Sequence, residues 1–276
     1  MDEDPQIDAY KQANRSLWNE WTHIHEGSEF YDLEGFKAGR SSLNSFEIEE
    51  LGDVTGKSLL HLQCHFGMDT LSWARRGACV TGVDFSDEAI RLAESLNEEL
   101  GLDGEFVCSD IYELPEVLQG EFDIVYTSQG VLAWLPDLQR WAEVAARFLK
   151  PGGTFYIAEY HPSAWVFDDE QSEELKVRYP YFPGPEPLVF EVRGSYADPQ
   201  AEVSQKLEYE WPHSMGEILN ALIQAGLRIQ FLHEFPFSTF AMFPGLMERD
   251  ADGLWRLKEH QDSVPLMFSI KATRGE

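Results

Sequence analysis

Apolar and polar positions along this chain fall into two regimes. From Lys57 onward, short apolar runs alternate with segments whose apolar residues recur at helical spacing, the pattern of a parallel, doubly wound sheet with helices on its faces. SLLHLQC (58–64) reads as strand one, and MDTLSWARR (68–76) as a helix stopped by Gly77. ACVTGVD is strand two, SDEAIRLAESLNEEL a helix capped by Ser86, and GEFVCSDI strand three. FDIVYTS is strand four, the stretch from Leu138 to Leu149 a helix, KPGG a turn, and TFYIAEY strand five. The rhythm then breaks. Between His161 and about His213 prolines and aromatics dominate, with VFEVRGSY and VSQKLEYEW reading as a hairpin laid over the sheet edge. After this insertion, SMGEILNALIQAG is an amphipathic helix ended by Gly226, LRIQFLHEF a strand, and VPLMFSIKA a last strand reached through a long connection.

Ahead of Lys57 the pattern differs. Trp18, Trp21, Phe30, Tyr31 and Phe36 stand among polar residues, followed by SSLNSFEIEEL, a helix starting near Ser42 or Asn44. The expected organisation is one α/β domain, with an N-terminal cover at 1–55 and a body at 56–276 interrupted by an insertion at 162–212.

Composition narrows the class. The chain has 276 residues, 43% of them hydrophobic and 13% aromatic, enough for a large packed core. Its 49 acidic residues against 21 basic ones give a net charge of −28, which disfavours nucleic acid and anionic membranes as partners. The acids are spread along the chain and Arg outnumbers Lys, a pattern suited to a solvated surface in high salt, with simple acidity as the alternative. Cys64, Cys79 and Cys108 form no CxxC pair, so neither a disulfide framework nor a zinc site is expected, and a reducing cytoplasm is the expected home. The start, MDEDPQIDAY, lacks an apolar stretch and no later run approaches a membrane span, so neither export nor insertion is expected.

In an open α/β sheet, ligands bind beyond the carboxyl ends of the strands, so the chemistry is read there. Strand one ends in His61-Leu62-Gln63-Cys64-His65-Phe66-Gly67, a tight loop opening a helix whose first N–H groups point at any ligand. Asp84, ending strand two, lies about 20 residues past Gln63, the spacing at which an acid takes ribose hydroxyls. Strand three ends in Ser109-Asp110-Ile111, where a carboxylate can accept from an adenine amino group while Ile111 packs on the ring. Two such acids describe an adenosine rather than a phosphate.

The order LLHLQCHFG, VTGVDFS, FVCSDI, FDIVYT, LKPGG resembles the class I S-adenosylmethionine-dependent methyltransferases from about Ser58 to Tyr160. That resemblance implies a mostly parallel, seven-stranded Rossmann-like sheet and S-adenosylmethionine as cofactor. The family's first loop carries an acid and three spaced glycines. Here His61 replaces the acid, Gln63 and His65 replace two glycines, and only Gly67 keeps its place. Glycine serves where φ is positive, so the two replacements imply a slightly different turn or a shifted cofactor tail. A sulfonium cofactor has no phosphate, and Gln63 and His65 can bind its methionine carboxylate or amine instead. The resemblance further implies that Asp84 holds the ribose, Phe85 flanks the adenine, Asp110 and Ile111 fix its edge, and Ser128 and Gln129 border the methionine end. Cys64 and Ser86 complete the expected cofactor-binding set. Cys64 sits at a helix N-terminus, where a thiolate is favoured, yet no base partner is evident.

Methyl transfer is an in-line displacement that asks the protein to align an acceptor and exclude water. If the acceptor is a hydroxyl or carboxylic acid a base helps, and His161 and His213 are the candidates by position, with Glu159 and Tyr160 behind them. Trp134, Tyr160, Trp165, Tyr209 and Trp211 are candidates to line an acceptor pocket, or simply core. Three rivals stay in play. A nicotinamide dinucleotide oxidoreductase needs a GxGxxG loop, which QCHFGM is not. A non-catalytic binder of S-adenosylmethionine is suggested by the glycine-poor loop, and a nucleic acid methyltransferase is disfavoured by charge and by TSQG after strand four. The expectation is an enzyme methylating a small molecule, with pairing of two copies through the hairpin left open.

Overall fold

The computed structural model describes residues 5–170 and 173–275; residues 1–4 of the expected cover, 171 and 172 of the expected insertion, and 276 lie outside the described residues. The chain opens with α1 (Pro5–Glu26), α2 (Leu33–Lys37) and α3 (Ser45–Leu51). It then alternates through β1 (Ser58–Leu62), α4 (Met68–Arg75), β2 (Cys79–Asp84), α5 (Asp87–Glu99), β3 (Glu105–Cys108), α6 (Leu114–Val117), β4 (Phe122–Thr127), α7 (Leu138–Arg147) and β5 (Leu149–Tyr160). Past these come β6 (Leu188–Glu191), β7 (Leu207–Glu210), α8 (Met215–Gln224), β8 (Leu227–Phe235), β9 (Met247–Arg249), β10 (Trp255–Leu257) and β11 (Met267–Arg274).

Seven strands form one sheet in the order β3-β2-β1-β4-β5-β11-β8, parallel except at β11, which runs against both neighbours. The central strands are apolar on both faces because helices cover both. Leu60 and Leu62 face a core shared with Trp141, Phe148 and Leu222 of α7, its end and α8. Leu59, one position off, faces Trp73 and Leu51 on the opposite side. Strand order reverses between β1 and β4, and it is at the carboxyl tips of such a pair that an open α/β sheet receives a ligand.

Local chemistry sets the element ends. The Ser86 hydroxyl accepts from Ala89 N–H and caps α5, Asp137 accepts from Arg140 N–H and caps α7, and Ser214 with Glu217 forms a capping box on α8. Three features depart from the pattern reading. KPGG is not a turn between elements but a bulge within β5, where the register against β4 shifts and Gly152 takes φ 74°. The hairpin β6–β7 is a separate two-stranded sheet seated against α1, not over the edge of the main sheet. The long connection ahead of β11 folds into a further small hairpin, β9–β10, over a satellite core of Ala164, Met242, Phe243 and Leu257.

Candidate functional site

The loop after β1 keeps a glycine's backbone without the glycines. Gln63, His65 and Gly67 take φ 58°, 51° and 77°, left-handed at alternate positions. The loop adopts the left-handed path and carries side chains on it. Such a conformation costs a non-glycine residue roughly 1–2 kcal/mol, and it persists where surroundings over-determine it. At His65, Asp84 is one such constraint. Its Oδ2 accepts from His65 N–H at 2.8 Å and its Oδ1 from Ser86 N–H at 2.9 Å, while Cys64 N–H donates to Val83 O at 2.8 Å. One carboxylate thus clamps the loops after β1 and β2 together.

Burial pushes the Asp84 carboxyl up to about 6, opposed by those same N–H donors. Phe85 N–H also acts on this carboxylate, and the acceptor capacity left on its two oxygens suits a donor such as a ribose hydroxyl. At the tip of β3, Asp110 accepts from Tyr112 N–H at 2.8 Å through Oδ1, while its Oδ2 lies 2.9 Å from Lys11 Nζ.

Beside the β1 tip lies the loop after β4, held by a buried acid. Glu159 accepts from the N–H groups of Gly130 and Tyr160 at 2.6 Å, Val131 at 2.7 Å and Leu132 at 3.2 Å. Burial raises its pKa and these four donors oppose the rise. Glu159 is a positioning residue, occupied by backbone rather than aimed at an acceptor. Ser128 Oγ lies 3.0 Å from Nε2 of His61, whose Nδ1 lies 2.8 Å from Thr70 Oγ1. His61 is therefore a satisfied buried histidine, held neutral at pH 7 by burial that lowers its pKa to about 3. Gln129 Oε1 accepts from Thr239 Oγ1 at 2.6 Å and Tyr160 OH at 3.3 Å, joining β4, β5 and the segment before β9.

Over these tips lies α1. Lys11, Arg15 and Asn19 form one stripe reaching Asp110, Asp87 and Ser86. Trp18 sets its ring edge-on to His65 at 5.2 Å and to Trp134 at 5.3 Å. A second stripe faces the insertion: Asn14 exchanges two hydrogen bonds with the backbone of Tyr209, Trp21 Nε1 donates to Gly194 O at 2.8 Å, and His25 Nε2 lies 3.0 Å from Ser195 Oγ. Tyr31 and Tyr196 join hydroxyl to hydroxyl. The cover and the insertion form one roof.

Comparison with known proteins gives this geometry its context. Residues 60–157 match the model of a methyltransferase domain family. Ubiquinone biosynthesis O-methyltransferases of Escherichia coli are similar at 31% identity over 135 residues, 48% of this chain and 56% of theirs. The chain thus spans about half the length of the curated relatives it matches. In fold, it resembles an S-adenosylmethionine-dependent methyltransferase from Mesorhizobium loti (TM-score 0.59, 20% identity, 86% of this chain and 100% of that one). Another, from Clostridium acetobutylicum, superposes with TM-score 0.56 at 14% identity over 94% of this chain and 100% of that one. Residues 60–157 thus match a methyltransferase domain family, and the fold is that of solved S-adenosylmethionine-dependent methyltransferases.

The residues present fit that cofactor. Asp84 retains acceptor capacity for a ribose, Asp110 offers a carboxylate one strand further, and Oε1 of Gln63 is a buried acceptor without a hydrogen-bond partner among the described residues. Among the expected cofactor residues, Cys64 turns away. It packs into the sheet face beside Gly82 and Phe106, and burial, then the Asp84 charge, raises its thiol pKa well above the ordinary range, which removes a nucleophile role. Ile111 is buried in the main core, and Phe85 stays half-buried beside Cys108, whose Sγ contacts its carbonyl.

The histidines proposed as bases are engaged elsewhere in this chain. His161 Nδ1 lies 2.7 Å from Ser163 Oγ and accepts from Ser163 N–H, and Nε2 lies 2.9 Å from Glu234 Oε1 on β8, two strands away. His213 Nε2 donates to Leu135 O at 2.8 Å. Burial lowers both pKa values. Tyr209 belongs to the α1 seam, its ring stacked on Tyr10 at 4.2 Å, and Trp211 N–H donates to Ala133 O. Trp134 donates to Gly130 O, while Trp165 is exposed and edge-on to Tyr160. Sequence reasoning missed Lys11, Asn19, His25 and Thr239, whose partners lie far off in the chain. It also missed Asp69, a half-buried acid in the first turn of α4 that accepts hydrogen bonds from Ser42 and Ser128. An acid at a helix start is so common a cap that it carries no signal by itself.

Proposed function

We propose that this protein transfers the methyl group of S-adenosylmethionine to a small-molecule acceptor held between the strand tips and the roof of α1 and insertion. One observation carries the reading: the Asp84 carboxylate, fixed by backbone N–H groups and retaining acceptor capacity, beneath a loop that is left-handed at 63, 65 and 67. The cofactor supplies a methyl carbon already activated by positive sulfur, so alignment and exclusion of water are the protein's tasks. Asp84 holds the ribose diol, Asp110 faces the adenine edge, and Ser128 and Gln129 border the methionine end. The rings of Trp18, Trp134 and Tyr31 keep water from the crevice. Tyr160, oriented by Thr239 and Gln129, stands at the β4–β5 tips where an acceptor would lie, and Trp165 beside it extends that wall.

The matched domain ends before the insertion, so the acceptor side is this chain's own. The Escherichia coli relatives are named as O-methyltransferases, which makes hydroxylated small molecules the first class to test. The net charge of −28 supports a small acceptor over nucleic acid, and three free cysteines support a reducing cytoplasm. Calorimetry with S-adenosylmethionine and NAD, followed by transfer of labelled methyl to a panel of phenols, carboxylic acids and amines with DNA and RNA alongside, tests the reading. S-adenosylmethionine binding with transfer to a panel member is the expected result. Preference for NAD overturns it, and binding without transfer to anything favours a non-catalytic role.

A further inference from the structure

Two acids sense each other's charge beneath the cover, one closed in and one open. Glu47 of α3 is wholly buried, its Oε1 accepting from Tyr126 OH at 2.6 Å and its Oε2 from Asn44 N–H at 3.0 Å and Asn44 Nδ2 at 2.7 Å. Burial, then the Asp69 charge, pushes Glu47 up to about 7. Asp69, in the first turn of α4, is held by the hydroxyls of Ser42 and Ser128 and keeps exposed surface. Of the two, solvation therefore favours Asp69 as the anion. Its orientation is set from behind. Because Ser128 O–H points at Asp69, Ser128 Oγ accepts from His61 Nε2–H at 3.0 Å, which leaves Nδ1 of that neutral ring to accept from Thr70 O–H at 2.8 Å. A hydrogen-bond chain thus runs out of the sheet interior and ends on this carboxylate.

Three tyrosines share its surroundings. The Tyr196 and Tyr160 hydroxyls and the Asp69 charge all act on Tyr31, so groups from the cover, the insertion, the β5 tip and α4 converge on one recess. Tyr31, Tyr160 and Asp69 are half-buried and Tyr196 is 44% exposed, which leaves the recess open to a molecule. The other acids at these strand tips are engaged: Asp84 and Glu159 by backbone N–H groups, Asp110 by Tyr112 N–H and Lys11. We propose that Asp69 is the base of the reaction, taking the proton of a neutral hydroxyl acceptor seated among Tyr31, Tyr160 and Tyr196. The assignment rests on the methyltransferase reading above and names its acceptor class. As a lone pair of the acceptor oxygen bonds to the methyl carbon, the electron pair of the C–S bond stays on sulfur and the hydroxyl proton passes to Asp69. A carboxylate acceptor would be repelled by this anion and needs no base, and an ammonium would pair with it and hold its proton more firmly.

The test uses the whole protein and Asp69→Asn, which keeps the side chain's shape and loses its charge. Calorimetry is expected to give S-adenosylmethionine affinity within about threefold of the unaltered protein, which also shows that the variant is folded. Labelled methyl transfer is then followed at pH 7.5 and saturating S-adenosylmethionine, with a phenol that the unaltered protein methylates. The variant is expected to be at least about 100-fold slower. It should regain about tenfold per pH unit between about pH 7.5 and 9.5, as a phenol titrating near 10 ionises by itself, while the unaltered protein changes by less than about threefold. Transfer within about threefold of the unaltered rate, or a loss that rising pH does not restore, overturns the assignment. So does loss of S-adenosylmethionine affinity in Asp69→Asn and Asp69→Ala alike, which would make Asp69 a support of the cofactor site or of the fold. Transfer by the unaltered protein to carboxylic acids or amines and to no hydroxyl overturns it as well. Failure of the unaltered protein to bind S-adenosylmethionine overturns the methyltransferase reading itself, and is seen before any substitution is made.

Discussion

At the scale of single residues, Asp84 ties loop geometry to ligand binding, and its protonation sets the two in opposition. The folded protein holds this carboxyl at about 6, above the ordinary aspartate value, because burial outweighs the donors around it. A folded state that binds the proton more tightly than the unfolded chain is favoured at low pH, so this group's contribution to stability is lost as pH rises from about 4 to about 6. A diol, however, donates to an ionised carboxylate, so cofactor binding needs the proton gone. S-adenosylmethionine affinity is therefore expected to fall about tenfold between pH 7 and pH 5, the drop in ionised fraction for a group titrating near 6. Calorimetry across that range checks it; affinity that is flat from pH 5 to 7 would remove Asp84 from the ribose site. Both strand-tip acids were legible from the rule that ligands bind beyond strand ends. The loop's backbone was not, because Gln63 and His65 report a departure from glycine while the bond that holds His65 in its left-handed φ comes from Asp84, distant in sequence.

At the scale of elements, the alternating core was legible because period and turn chemistry are local, whereas the role of α1 was not. Its aromatics announced a cover, but its partners lie 40 to 195 residues away, at His65 and Tyr209, and no pattern within the helix names them. The KPGG bulge was hidden for the converse reason: its residues favour a turn, and the pairing of Leu149 and Thr154 on either side with β4 keeps them within one strand. Trp21 is the pin of the roof, 5% exposed, packed with Leu17, Val192 and Val203 and hydrogen-bonded to Gly194 O. Trp21→Ala is expected to cost about 3 kcal/mol or more, through lost contact area and an orphaned carbonyl. Because the damage sits between α1 and the insertion, it should appear as faster proteolysis and hydrogen exchange in 188–210 while β1, β4 and β5 stay protected. Uniform loss of protection across the sheet would show that the roof is part of the main core instead.

At the scale of the whole molecule, a net charge of −28 acts against the compact state through self-repulsion. Several of the 21 basic residues are already committed to local pairs, Arg91 with Asp87 and Glu88, and Arg256 with Asp250 and Asp252, and exposed pairs of this kind add little. Buried acids add to the repulsion with the same sign. Glu47 is pushed up to about 7 and Glu210 to about 8, each first by burial and then by a neighbouring acid, so each resists ionisation in the folded state and its contribution to stability declines as pH rises toward those values. Salt separates the surface part of this effect from the rest. Raising KCl from about 0.01 M to about 1 M shortens the screening length from about 30 Å to about 3 Å, which removes most repulsion between exposed acids and leaves buried ones nearly untouched. The melting temperature at pH 7.5 should therefore climb by at least about 5 °C over that range. At pH 5, close to the pI near 4.5, the same salt should move it far less, since little net charge remains to screen. An equal rise at both pH values would assign the gain to salt strengthening apolar burial, and the acidic surface would then have no part in it.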